Sequence, residues 1–174
     1  DPLWSRGLGD VYKRQGKRHG WPTTPMPPHN LVYTMIGAAL LWAGWFGFNV
    51  GSALSANTTA GLVLMTTMIA TCGGIVGWMV IEKIMTKHVT SLGLASGVIA
   101  GLVGITPAAA YVGALGAIAI GFITSVCCFF AVTGLKRKFG FDDALDVFAL
   151  HGIGGMVGAI PVSYTHLTLP TILL

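Results

Sequence analysis

No charged residue occurs between Arg18 and Glu82, or again between Lys87 and Lys136, and apolar residues dominate both gaps from Leu31 onward. About 20 such residues, rising 1.5 Å each, cross the hydrocarbon of a bilayer. Each gap is therefore long enough for two spans. Only 9% of the residues are charged, against about a quarter in soluble chains, and the mean hydropathy is +0.74. The pattern predicts an all-α membrane protein with five transmembrane helices: Leu31–Ser55, Thr59–Ile84, Ser91–Thr106, Ala108–Leu135 and Asp143–Pro161. Gly16–Asn30, rich in proline, reads as a connection, because each proline removes a helix donor and restricts the residue before it. Pro107 is expected in the first turn of the fourth helix.

The charges test this count. Lys17 and Arg18, then Lys83 and Lys87, then Lys136, Arg137 and Lys138 precede the first span and follow the second and the fourth. With five alternating spans, all of them fall on one side, as cytoplasmic loops rich in Lys and Arg require. The formal net charge of +4 is dispersed among these loops and forms no basic face, so nucleic acid is not an expected partner. Cys72, Cys127 and Cys128 sit in apolar runs with no CxxC spacing, and read as small buried hydrophobes. Residues 1–15 and 162–174 resemble translated sequencing adaptor; they read as foreign ends flanking a native portion at 16–161. Glycines four apart at 47/51, 73/77, 93/97/101 and 154/158 predict close helix contacts, since small residues let backbones approach in lipid.

Two groups of residues carry chemical interest. The segment DDALDVFALHGIGG opens on Asp142, Asp143 and Asp146, which suit a helix start. It places His151 two turns inside, and a titratable side chain at membrane depth is a functional candidate. Buried, its imidazole is expected to be neutral, donating at one nitrogen and accepting at the other, as a proton relay requires. The alternative is a core histidine satisfied by neighbouring helices. Gly152, Gly154 and Gly155 would leave room beside the ring, and no second histidine or carboxylate is spaced to complete a metal site. In WAGWFGFNVGS, Trp45, Phe48 and Ser52 share one helical stripe, two aromatic surfaces and a hydroxyl suited to a small cation that donates hydrogen bonds. An interfacial aromatic belt is the competing reading; Asn49, costly in lipid, favours an inward face.

Three motifs occur in order: HNLVYTMIGAALLWAGWFGFNVGSA, SLGLASGVIAGLVGITPAAAYVG and LKRKFGFDDALDVFALHGIGG. On them the chain resembles the ammonium transporter family (Amt/MEP, related to Rh proteins) from Gly16 to Pro161. The resemblance implies a homotrimer of eleven-span subunits, each with a pore built from two inverted five-helix repeats, of which this chain matches the second. It also implies ammonium or ammonia as substrate, a multi-pass place in the plasma (inner) membrane, no cofactor or metal, and a PII-type regulatory protein as a candidate partner. His151 matches the second of two paired pore histidines, Phe48 one of two stacked phenylalanines at the outer mouth, and Ser52 the hydroxyl of the outer recruitment site, with Trp45 nearby. The partners of His151 and Phe48 are expected upstream of Gly16. Two alternatives remain: an ammonium sensor of the same fold, and an intramembrane enzyme using His151 with Asp142, Asp143 and Asp146.

Overall fold

The computed structural model describes residues 17–140 and 142–172, with side chains through Ser163. The foreign segment expected at 1–15 lies outside the described residues. Five apolar helical units follow one another: α1 (Leu31–Gly51), α2 (Thr58–Thr86), α3 (Ser91–Ile105), α4 (Ala114–Phe139) and α5 (Gly154–Ile172). A π-helical stretch, Ala131–Leu135, lies within α4, and another, Phe148–Ile153, leads into α5.

Capping residues set the first three starts. Asn30 Oδ1 accepts from Tyr33 N at 3.1 Å, Asn57 Oδ1 from Ala60 N at 2.9 Å, and Thr90 Oγ1 from Gly93 N at 2.9 Å. Each satisfies a backbone donor that the first turn leaves without a helical partner. Glu82 secures the third cap, its buried carboxylate accepting from Thr90 N and Thr90 Oγ1.

Three helices, α1, α2 and α4, are long and apolar enough to cross a bilayer. The two others are shorter. At 15 residues α3 covers roughly 22 Å, less than the ~30 Å hydrocarbon. It nevertheless forms the centre of the bundle, buried from Val98 to Ile105 between α2, α4, α1 and α5. Beyond it the fourth helix starts at Ala114 instead of Ala108, and Pro107 lies in a chain of turns. Irregular backbone at that depth is tolerated only when enclosed by protein. Ala108 and Ala109 are buried; Ala108 N and Tyr111 N close turns onto Ile105 O and Ala108 O, and Thr66 Oγ1 donates to Ala109 O at 2.7 Å.

Small residues bring the helices together. A methyl at Gly73 would stand 2.6 Å from Ile118 O, and one at Gly97 would stand 2.9 Å from Gly74 O. Gly158 similarly abuts Gly104. The expected rows at 73/77, 93/97/101 and 154/158 are contact surfaces, whereas Gly47 and Gly51 have nothing within 4 Å beyond their own helix. The 47/51 spacing therefore does not mark a packed face. Polar links join the same helices: Ser125 Oγ donates to Gly74 O at 2.6 Å. The larger apolar cluster gathers Trp78, Ile99, Leu102, Phe129 and Leu150. Cys128 is buried as expected, but Cys72 is exposed on α2.

The last segment departs most from expectation. Asp143 and Asp146 occupy a turn ahead of the helix, so the helical backbone begins near Phe148 and His151 stands in its first, widened turn. Asp146 takes φ 53°, a left-handed conformation that a short polar side chain accepts more readily than most. Asp143 Oδ2 accepts from Phe148 N at 2.8 Å, which keeps the expected capping role while moving the start. At the other end α5 continues past Pro161 to Ile172.

Candidate functional site

The α1 stripe and the α5 entry meet. Trp45 and Phe48, three residues apart on α1, stack edge to face with ring centroids 5.8 Å apart, inside the 4.5–7 Å range of favourable aromatic pairs. Across from them the His151 ring lies 6.1 Å from Trp45, with the planes tilted by 30°. Trp45 thus stands between a phenyl ring and an imidazole, although Phe48 and His151 are 103 positions apart in the sequence.

Ser52 lies one residue beyond α1, and its hydroxyl donates to Phe48 O at 2.6 Å. Its proton is used there, which leaves oxygen lone pairs to accept from a solute. A groove of about 640 Å³ runs along α1 beside these rings, lined by Gly37, Leu40, Leu41, Gly44, Trp45 and Phe48. Phe48 is 62% exposed on it and His151 is exposed as well. The aromatic faces on this open, apolar side of α1 can attract a cation.

Several side chains beyond the four candidates support the site. The Trp45 indole N–H donates to Thr106 Oγ1 at 2.8 Å, and Thr106 Oγ1 donates on to Leu102 O at 2.7 Å. Asn49 is buried, as expected of an inward face, and donates to Thr67 Oγ1 at 3.2 Å. The glycines around His151 divide their tasks. Gly154 packs against Cys128, Val103 and Thr124, Gly152 lies under the Phe148 ring, and Gly155 faces open space.

At the basic end of the bundle, Arg18 binds Asp142 through its backbone N–H and its guanidinium. Lys136, buried, donates to Asp146 Oδ1 at 2.5 Å and to Asp143 O at 2.9 Å. The Trp21 ring faces both cations, 5.8 Å from Arg18 and 5.1 Å from Lys136. The hydrogen bond from Arg18 holds the Asp142 carboxyl below the usual carboxylate range, and that pairing raises the Arg18 guanidinium. Burial pushes Asp146 above its usual range, more than Lys136 draws it down. The Arg18 hydrogen bond outweighs the burial that would raise the Asp142 carboxyl. The three carboxylates are thus engaged with Arg18, Phe148 N and Lys136. Among the described residues no group of three or more His, Cys, Asp or Glu is placed to hold a metal ion.

Apolar helices packed through glycine, three of them long enough to span, define an integral, multi-pass membrane protein with a ring-lined groove along one helix. The Ammonium Transporter Family model matches residues 10–168. An ammonium transporter of Bacillus subtilis is 54% identical over 137 residues, 79% of this chain and 34% of the relative. Among solved structures, Mep2 of Saccharomyces cerevisiae superposes with a TM-score of 0.72 at 42% identity, over 76% of this chain and 31% of that one. A structure titled Sensor Amt Protein gives 0.79 at 30% identity, over 87% and 37%. The chain belongs to the ammonium transporter family. It spans about a third of the length of the curated relatives it matches.

Proposed function

We propose that the chain forms one wall of an ammonium-conducting pore, with Trp45, Phe48, Ser52 and His151 along the path. The observation that carries this reading is the meeting of the Trp45 and His151 rings beside an open apolar groove.

Ammonium and potassium are close in size, so a radius filter would pass both. Moving either ion intact into a dry apolar passage costs on the order of tens of kcal/mol by Born solvation. Ammonium can avoid that cost by releasing a proton and crossing as neutral ammonia; potassium cannot. In this scheme Ser52, its own proton committed to Phe48 O, accepts an N–H bond from arriving ammonium while the aromatic faces attract the charge. The N–H bond breaks near the Phe48 ring, with the electron pair staying on nitrogen. Ammonia then passes along the groove. His151 takes the proton on one ring nitrogen and releases one from the other, and ammonia is reprotonated on the far side. The second pore histidine and the facing phenylalanine would come from the remainder of a longer chain, which would act as a trimer in the plasma membrane. The exposed bases Arg137 and Lys138 suit contact with a PII-type regulator.

Transport is preferred to the enzyme reading because Asp142, Asp143 and Asp146 are engaged in ion pairs and a helix cap. The test is uptake by a full-length protein in which this chain replaces the matching segment of the Bacillus subtilis relative. Reconstituted into vesicles, it is expected to take up ammonium saturably with excess potassium present. An absence of uptake, or equal competition by potassium, refutes the proposal.

A further inference from the structure

We infer that Thr106 is the positioning residue that aims the Trp45 indole, and that it thereby sets the affinity of the groove for a nitrogen cation; the inference rests on the transport reading above. Thr106 lies outside the groove, at the point where α3 gives way to the buried turns. Its hydroxyl has one proton, which goes to Leu102 O at 2.7 Å. The oxygen is thereby oriented as an acceptor, and the Trp45 indole N–H fills it at 2.8 Å. Two consecutive bonds therefore tie a side chain of α1 to the backbone of α3, the most enclosed helix of the bundle.

The orientation matters because an aromatic ring is electrically two-sided. Its face is negative and its edge positive, most strongly at an indole N–H. With the N–H held by Thr106, Trp45 keeps its ring against Phe48 and His151. Freed from Thr106, the indole must turn its N–H toward another acceptor. The ring then leaves its place in the groove, and the positive edge replaces the face that a cation would meet. Thr106 is not a lining residue of the groove, and its bond to that wall is the one to Trp45.

The experiment compares Thr106→Val, which keeps the shape and removes the hydroxyl, with Thr106→Ser, which keeps the hydroxyl, in the full-length chimera with the Bacillus subtilis relative. The probe is ammonium uptake into vesicles. Val is expected to raise half-saturation about tenfold, equivalent to one hydrogen bond of ~1.4 kcal/mol, with maximal rate within about twofold; Ser is expected to restore the parent value. An unchanged half-saturation in Val, or an equal loss in Ser, overturns the inference. A second readout is the indole N–H resonance of Trp45 in ¹⁵N-labelled protein in detergent, expected to shift in Val and to stay in place in Ser. Should the parent chimera move no ammonium, the transport reading fails by itself, and an unmoved resonance in Val would separately remove Thr106 from its role. If Val does not reach the membrane, Thr106→Ala takes its place under the same criteria.

Discussion

Ser52 donates its only hydroxyl proton to Phe48 O, so toward a solute it is an acceptor alone. That asymmetry yields a prediction at the scale of single residues. Ser52→Ala in the full-length chimera is expected to raise half-saturation for ammonium about tenfold, the worth of one hydrogen bond, with maximal uptake retained. Ser52→Thr, which keeps the oxygen, should stay near the parent; equal kinetics for Ser52→Ala and the parent would remove Ser52 from the capture site. The helical stripe made Trp45 and Phe48 legible as neighbours, because three residues on a helix bring side chains to one face. It could not supply the long-range partners. The bonds from Trp45 to Thr106 and from Asn49 to Thr67 link helices whose relative rotation no local pattern encodes. A hint existed in the helical threonines, which at membrane depth are polar groups in need of a partner. Lys136 was read as a topology signal, yet it is buried and bonded to Asp146, since a long stem can carry a cation back beneath its own loop.

Among the elements, glycine decides which helix faces can approach, and two substitutions separate contact from coincidence. Gly97→Val would drive side-chain atoms into Gly74 O, Ile75 and Trp78. Overpacking of this kind is expected to cost about 1–3 kcal/mol or more, read as a lowered unfolding temperature in detergent. Gly47→Ala meets open space and exchanges glycine for the best helix former, so it should be neutral or stabilising by up to ~1 kcal/mol. Comparable losses in both would mean that the glycine rows are not what joins α2 to α3. The spans were legible because apolar length is a composition signal, and the capping residues Asn30, Asn57 and Thr90 mark three starts. Two starts were not legible. Between Thr106 and Ala114 the sequence stays apolar while the backbone breaks into buried turns, so hydropathy continues where the helix does not. Before α5, acidic residues that would suit a first helical turn are engaged in a preceding turn by Arg18, from distant sequence, and by Lys136, at the end of the preceding helix.

At the scale of the whole molecule, the basic end is joined by ion pairs that should respond to pH in opposite senses. Asp142, held below its usual range by Arg18, adds stability that is fully present above the unfolded carboxylate value of about 4; that stability is lost as pH falls through the lower folded value. Asp146, raised by burial, opposes folding while charged, and this cost is relieved as pH falls through its raised value. Asp142→Asn is therefore expected to lower the unfolding temperature at pH 7, with the gap to the parent closing below about pH 4. A gap of constant size from pH 7 to pH 3 would contradict the ion-pair account. The bundle carries its ring-lined groove on α1, the widened turn ahead of α5 sets the His151 ring 6.1 Å from Trp45 at its edge, and the central claim is that nitrogen passes this ring uncharged. The most direct measurement is the ammonium-evoked current of the full-length chimera, with potassium as the competing ion, before and after His151→Ala. The account predicts that the substitution reduces the current at least tenfold or admits potassium; a current of unchanged size and unchanged selectivity would contradict it.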